Sequence, residues 1–316
     1  MSRLVARRFS SFSLAIAGLA ALLSTSDFVL AQAQYELPNV QNTLSAGSTP
    51  LGVAAADFAL NGYQGVVAIN SQSNQISVFV ADGPDTFLPS STYNVCGGPQ
   101  YVTTPGPSFV LATDLNGDGY PDIAVACPAM NMVEIFQNNG SGGFPFLPTQ
   151  SISVTVPVAM VAGNFNKTGK IGLAVAGGTG NVSILQNTGN GYSSTTVGIA
   201  GSFSGIVGAD FNGDGNLDLA LSDSAGNKVD ILTGDGAGNF TVGSSYPVGT
   251  NPSGIATGDF NHDGNPDLAV SNAGSNNVSI LMGSSTGTFT PPEHRARGGD
   301  QPHRHCRDGR QWGRHA

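Results

Sequence analysis

Through most of the chain, apolar and polar residues alternate in short runs of period two. Five such runs are "ISVFV" from Ile76, "MVEIF" from Met132, "NVSIL" from Asn181, "KVDIL" from Lys228 and "NVSIL" from Asn277. Each sets Val, Ile, Leu or Phe on one face and Ser, Glu or Asp on the other, which is the pattern of a half-buried strand. A short continuous apolar run and a Gly/Asn/Ser turn come before each of them. Gly-rich turns ending in an aromatic come after, as in "GSGGF", "GDGAGNF" and "SSTGTF", and an extended segment then leads into the next unit. A unit is therefore about four short strands in roughly 50 residues with no helical period, which predicts an all-β chain folded as a β-propeller of four-stranded blades. A β-sandwich with evenly spaced hairpins is the competing architecture, but a sandwich would not need one acidic loop at the same place in every unit.

The units do share such a loop. Its copies begin at Asp57 ("DFALNGYQGVVAI"), Asp114 ("DLNGDGYPDIAVA"), Asn164 ("NFNKTGKIGLAVA"), Asp210 ("DFNGDGNLDLALS") and Asp259 ("DFNHDGNPDLAVS"). Numbered from the first residue, positions 1, 3, 5 and 9 are Asp114, Asn116, Asp118 and Asp122 in the second copy. They are Asp210, Asn212, Asp214 and Asp218 in the fourth, and Asp259, Asn261, Asp263 and Asp267 in the fifth. Three carboxylates and an amide packed this closely repel one another unless a cation sits among them. A hard cation taking six to eight oxygens suits the set, with the main-chain carbonyl near position 7 (Tyr120, Asn216, Asn265) and water completing the shell. Calcium fits better than magnesium, and zinc is disfavoured because no Cys or His joins the set. About three structural Ca2+ sites are thus expected. Solvated Asx turns without metal are the plainer alternative.

Position 6 is Gly in all five copies, as a turn needing positive φ requires, and position 2 is Phe58, Leu115, Phe165, Phe211 or Phe260, expected to point into the core. An EF-hand opens the same way but needs an acid at position 12 and a helix after it. Position 12 here is Val125, Leu221 or Val270, inside a β-type run. Two copies depart from the pattern. The first has Ala59 and Gly65 at positions 3 and 9. The third has Asn164, Asn166, Thr168 and Gly172 with Lys167 and Lys170 alongside. Neither is expected to hold calcium well, and in the third an ammonium group is a candidate to stand in for the ion.

These "DxNxDGxxDLAV" loops, with their "GxF" turns and "GIATGDF" lead-ins, resemble the FG-GAP or VCBS repeats of integrin α-subunit propellers and of many secreted bacterial proteins. The resemblance spans roughly residues 50–291 and is specific in three loops. It implies a calcium-bearing β-propeller, commonly of seven blades, in extracellular adhesion or recognition proteins and sometimes beside a catalytic module. It implies no single activity.

Charge narrows the partners. From Gln34 to Pro292 there are three basic residues (Lys167, Lys170, Lys228), no Arg and seventeen acids. Such a body is a poor match to nucleic acid, whose phosphates need basic neutralisation. Its one His, His262, has no nucleophile beside it, and there is no phosphate-cradling Gly motif or zinc set. The expected protein is a noncatalytic scaffold recognising an extracellular protein or glycan. A lectin-like propeller, or the accessory propeller of a polysaccharide-degrading enzyme, is the alternative. Tyr63, Tyr93, Tyr101, Tyr192 and Tyr246 are the available sugar platforms, although strand and turn packing is the safer account of them.

The two ends read differently from the body. Residues 1–33 combine Arg3, Arg7 and Arg8, a short apolar run and Ala31-Gln32-Ala33, which predicts a signal peptide cleaved near Ala33 and an exported or periplasmic mature chain with no membrane span. Residues 34–48 form a lead-in that could serve as a closing strand, and 49–292 the repeats. Residues 293–316 hold six of the chain's twelve basic residues, four of its five His and its only Trp. A basic, His-rich interaction tail is one reading. The other uses the genetic code. With each codon read from its second base, Asp300 to His315 can spell "TNPIAIAVTDVNGDGT", matching "TNPSGIATGDFNHDGN" at 250–265. A frameshift would make the tail disordered, leave five recognisable blades and a broken sixth, and expose edge strands that lead to poor folding, aggregation or imperfect closure. Cys96 and Cys127 lie 31 residues apart, so in an exported protein they could pair, or Cys127 could simply be buried in a strand.

Overall fold

The structure, a computed structural model, describes residues 43–101 and 106–290. The predicted signal peptide and the basic tail lie outside the described residues. Thr43 and Leu44 have no regular structure. All the strands belong to the unit that begins at Ser45.

Among the described residues twenty strands form five four-stranded antiparallel sheets, each in simple sequence order. Blade 1 is β1 (Pro50–Ala56), β2 (Gly65–Asn70), β3 (Gln75–Phe79) and β4 (Ser91–Asn94). Blade 2 is β5 (Phe109–Thr113), β6 (Asp122–Cys127), β7 (Met132–Phe136) and β8 (Gln150–Ser153). Blade 3 is β9 (Pro157–Gly163), β10 (Gly172–Gly177), β11 (Asn181–Asn187) and β12 (Tyr192–Gly198). Blade 4 is β13 (Phe203–Ala209), β14 (Asp218–Asp223), β15 (Lys228–Gly234) and β16 (Phe240–Pro247). Blade 5 is β17 (Pro252–Gly258), β18 (Asp267–Asn272), β19 (Asn277–Gly283) and β20 (Phe289–Thr290). The first strands pack side by side in the order β1, β5, β9, β13, β17, and β17 makes no comparable contact with β1. This is the predicted propeller architecture, with every acidic loop joining the first strand of its blade to the second.

The core lies between blades. One apolar cluster joins blades 1 and 2 through Val67, Ile69, Ile123 and Val125, and a second joins blades 2 and 3 through Val133, Ile135, Leu173 and Val175. A third joins blades 3 and 4 through Ile184, Phe203, Leu219 and Leu221, and a fourth joins 4 and 5 through Val229, Ile231, Leu268 and Val270. The four joints share one detail. The position-2 side chain of one loop meets the aromatic that closes the Gly-rich turn of the next blade. Phe58 meets Phe144 edge-on at 5.6 Å between centroids, Phe165 meets Phe240 at 5.6 Å and Phe211 meets Phe289 at 5.5 Å. Leu115 sits in one cluster with Tyr192. Aromatic pairs at such geometry add about 0.5–1.5 kcal/mol beyond their burial.

Two expectations change here. The alternating strands read as half-buried, yet in blades 1 to 4 their polar positions are buried too: Ser77, Glu134, Ser183 and Asp230 are all at most 6% exposed. In blades 2 to 4 the preceding blade covers that face, and in all four blades the buried groups bond internally. Asn70 Nδ2 donates to Ser77 Oγ (2.9 Å), the Cys96 N–H to Glu134 Oε2 (3.0 Å) and Lys228 Nζ to Asp230 Oδ1 (2.7 Å). The position-2 residues were all expected inside. Phe58, Leu115, Phe165 and Phe211 are, but Phe260 is 46% exposed, because among the described residues no further blade covers it.

Cys96 and Cys127 form a disulfide that ties the segment leaving blade 1 to the end of β6 in blade 2. Closing a loop of this length removes about 3–4 kcal/mol of unfolded-chain entropy in the chain-entropy account. Cys127→Ser should therefore lower the unfolding free energy by about 2–4 kcal/mol, measured by denaturant titration, with reductant having the same effect on the parent and none on the variant. Beside the bridge, burial raises the Glu134 carboxyl above the ordinary glutamate range, the Cys96 N–H pulling the other way. An acid held higher in the fold than in the unfolded chain favours the fold most below the unfolded value and loses that advantage as pH rises through the folded one. Stability should thus fall on going from acid towards neutral pH. Glu134→Gln, which keeps an acceptor for Cys96, should flatten that slope; an unchanged slope would place its origin elsewhere.

Candidate metal loops

All five loops adopt one backbone form. Position 6 has positive φ throughout: 87° at Gly62, 91° at Gly119, 81° at Gly169, 81° at Gly215 and 86° at Gly264. At each of these an added Cβ would meet nothing within 4 Å, so the left-handed backbone alone requires glycine there. The position-1 side chain caps the same turn. Asp57 Oδ2, Asp114 Oδ2, Asp210 Oδ2 and Asp259 Oδ2 accept the position-6 N–H at 2.7–3.0 Å, and Asn164 Oδ1 does so at 3.3 Å.

In the three complete loops the remaining groups repeat closely. The position-5 N–H donates to the position-3 amide oxygen: Asp118 to Asn116 at 2.8 Å, Asp214 to Asn212 at 2.9 Å and Asp263 to Asn261 at 3.0 Å. The position-7 N–H of Tyr120, Asn216 and Asn265 donates to Oδ1 of Asp118, Asp214 and Asp263. Asp118, Asp214 and Asp263 are exposed, and these backbone bonds hold the Asp214 and Asp263 carboxyls below the usual range. The carboxylates at positions 1 and 5 and the amide oxygen at position 3 thus gather in one loop, each carboxylate keeping lone pairs beyond the hydrogen bonds it accepts. The position-3 amide nitrogen donates to Oδ2 of the position-5 acid at 2.9–3.2 Å.

Position 9 behaves differently from the sequence expectation. Asp122, Asp218 and Asp267 are at most 1% exposed, and each carboxylate is held at both oxygens by backbone. Asp122 accepts from Leu115 N (3.0 Å) and Asn138 N (2.9 Å), Asp218 from Phe211 N (3.2 Å) and Gly234 N (2.8 Å), and Asp267 from Phe260 N and Gly283 N (both 2.8 Å). These acids knot the loop to the end of the third strand. Burial pushes the Asp122 carboxyl up to about 6 against its two N–H partners, with Asp118 and Asp114 adding repulsion, and Asp218 is raised in the same way. Among the described residues no three Asp, Glu, His or Cys converge as a ready-made metal cage, since the loop oxygens turn onto amides.

The incomplete loops are closed to repair. A Cβ at Gly65 would lie 2.7 Å from Phe79 O, and one at Gly172 2.7 Å from Leu185 O, so the third-strand backbone occupies the space of the missing acid. In the third loop Lys170 Nζ donates outward to Thr188 O (2.9 Å), and Lys167 lies by the fourth loop, where its charge lowers the Asp214 carboxyl further. Sequence reasoning missed Asn138 and Asn187, whose amides reach across the blade joint to Phe58 O (2.8 Å) and Leu115 O (2.6 Å). The only hint was the repeated "QN" before the Gly-rich turn.

Fold and loops together define a repeat β-propeller with the same hairpin turn on each blade, rich in oxygen donors on three of the five. The FG-GAP-like repeat matches residues 57–125, 114–175 and 210–270, more than half of the chain, and the protein belongs to that family. No curated protein matches it in sequence. Among solved structures it is similar to a candidate 6-phosphogluconolactonase from Bacteroides fragilis (18% identity, TM-score 0.60, 78% of this chain and 70% of that one). A Lactobacillus plantarum protein matches at 13% identity and TM-score 0.60, covering 77% of this chain and 70% of that one. An Agrocybe aegerita lectin that recognises non-reducing terminal N-acetylglucosamine matches at 18% identity and TM-score 0.50, covering 77% of this chain and 65% of its own. At such identities the likeness is one of fold alone.

The two kinds of acid separate experimentally. Asp218→Ala leaves two buried N–H groups unpaired and should cost about 2–4 kcal/mol at roughly 1–3 per group less partial relaxation. Asp214→Ala, on the exposed rim, should leave the metal-free denaturation midpoint where it was. Equal losses in the two variants would show that position 9 is no knot.

Proposed function

We propose that this protein is a noncatalytic, calcium-stiffened propeller that works outside the cytoplasm as a scaffold for recognition or adhesion. One observation carries the calcium reading. Loops 1 and 3 make the same turn without the full acid set, so the turn does not need those acids. Loops 2, 4 and 5 nevertheless gather three carboxylates and an amide at identical places. Asp118 and Asp114 repel the charge on Asp122, and Asp214 and Asp210 that on Asp218. A hard divalent cation relieves that repulsion and takes only oxygen donors. Asp114, Asn116 and Asp118 would hold it in blade 2, Asp210, Asn212 and Asp214 in blade 4, and Asp259, Asn261 and Asp263 in blade 5. The carbonyls near Tyr120, Asn216 and Asn265 would complete each set. Asp122, Asp218 and Asp267 would join with an oxygen still tied to backbone, fixing the ion to the third strand.

The disulfide supports export, since such bonds persist in oxidising compartments. No helix among the described residues is long and apolar enough to cross a membrane. Calorimetric titration of the chelator-treated protein with Ca2+ should give about three equivalents, the number of complete loops, and EDTA should lower Tm. Asp118→Asn, Asp214→Asn and Asp263→Asn should each remove about one equivalent. A protein that takes up no calcium, with one melting curve in EDTA and in Ca2+, would defeat the reading. A glycan array run beside a hydrolase screen would then separate recognition from catalysis.

A further inference from the structure

Position 4 of a loop lies against the Gly-rich turn of the following blade. A Cβ on Gly213, position 4 of the fourth loop, would lie 3.4 Å from Ser285 O in the turn of blade 5. Lys167, position 4 of the third loop, stands in the same relation to blade 4: a Cβ on Gly236, in the turn of that blade, would lie 3.2 Å from Lys167 Cε. The same Cβ would clash with Asn216 Oδ1. The end of the lysine and the position-7 residue of the fourth loop thus flank one point, and the lysine charge reaches the Asp214 carboxyl. Lys167 itself joins no ion pair; among the described residues the ion pairs are those of Lys228 with Asp223 and Asp230. The turn gains nothing from a lysine at this position, since its backbone there is left-handed (φ 55°) and the complete loops 2 and 4 use Gly117 and Gly213.

We propose, building on the calcium reading above, that Lys167 regulates the blade 4 site from the neighbouring blade, its positive charge weakening the hold of Asp210, Asn212 and Asp214 on the ion. With the loop empty, an ammonium beside these acids offsets part of their mutual repulsion. With a divalent cation among them, the same ammonium faces a like charge at short range. Lys167 therefore favours the empty loop over the filled one and sets the calcium level at which blade 4 fills. The position that corresponds to it beside loop 5 is Gly213, and in the first loop it is Leu60, so neither of the other complete loops follows a loop with a cation at this place. Lys170, the other cation of the third loop, is engaged differently. Its Nζ donates to Thr188 O (2.9 Å) in the turn of its own blade.

Calorimetric titration with Ca2+ of full chains carrying Asp118→Asn and Asp263→Asn, in which loop 4 is the one complete loop left, tests this. At low ionic strength, Lys167→Gln in that background should tighten Kd about threefold to fivefold, the size expected of one surface charge. Lys167→Arg, which keeps the charge, should leave Kd where it was. Lys170→Gln removes the same charge from the same loop and should also leave it, because that ammonium is tied to Thr188 O. Raising KCl from about 0.01 M to about 1 M shortens the screening length from about 30 Å to about 3 Å and should erase the gain. Far-UV circular dichroism checks that every variant folds. One Kd shared by the Lys167→Gln chain and its Lys167 parent overturns the proposal. So does an equal gain from Lys167→Arg or Lys170→Gln, or a gain that survives high salt. Each of those results leaves the calcium reading standing, whereas no calcium uptake by any of the chains defeats both.

Discussion

Burial of apolar side chains between sheets, and not within any one of them, is the constraint on which this structure depends. A four-stranded blade of some fifty residues has no core of its own. Its apolar residues are sealed by the sheets beside it, and β6, β10 and β14, each in a blade with a neighbour on both sides, are buried along their whole length. The aromatic or leucine at loop position 2 fixes where neighbours meet, and the turn aromatic of the next blade receives it. Fully burying one such side chain contributes about 1.5–3 kcal/mol, so each joint outweighs any single hydrogen bond around it. Stability in such a fold is close to a sum over blades and the joints between them.

Much of this could be read in the sequence because the repeat is local. The loop motif, the two runs after it and the Gly-rich turn locate all five blades, and the four-strand count per unit holds throughout. Burial was less legible, since it depends on neighbours that a local pattern does not encode. Val229 and Val278 stand in near-identical runs, "KVDIL" and "NVSIL", yet one is sealed and the other open. For the same reason the polar positions of the third strands looked solvated when they are sandwiched. The pairing of Cys96 with Cys127 was likewise open, because separation along the chain says nothing of the approach of two segments in space.

The loops divide their work between two sets of atoms. Backbone amides, the position-1 side chain and a left-handed glycine make the turn in every blade, whatever stands at the other positions. The position-9 acid, where present, ties that turn to the third strand through two amides. What remains at positions 3 and 5 is a set of side chains nearer solvent, whose oxygens accept backbone N–H groups of the turn and keep lone pairs free beside them. The sequence motif presented four equivalent ligands, whereas the structure ranks them, one acid inside with its hydrogen bonds filled and the others outside. This ranking was invisible in the spacing because Asp122 and Asp118 differ only in which way the chain turns them.

The bridge between Cys96 and Cys127 gives the row of blades a direction. It is a covalent staple at the first joint, set where β4 hands the chain over to blade 2, and nothing comparable guards the last joint between blades 4 and 5 among the described residues. Among the described residues blade 5 has one neighbouring blade and no staple, so side-chain packing alone holds its joint, whereas the first joint keeps a covalent link when its packing loosens.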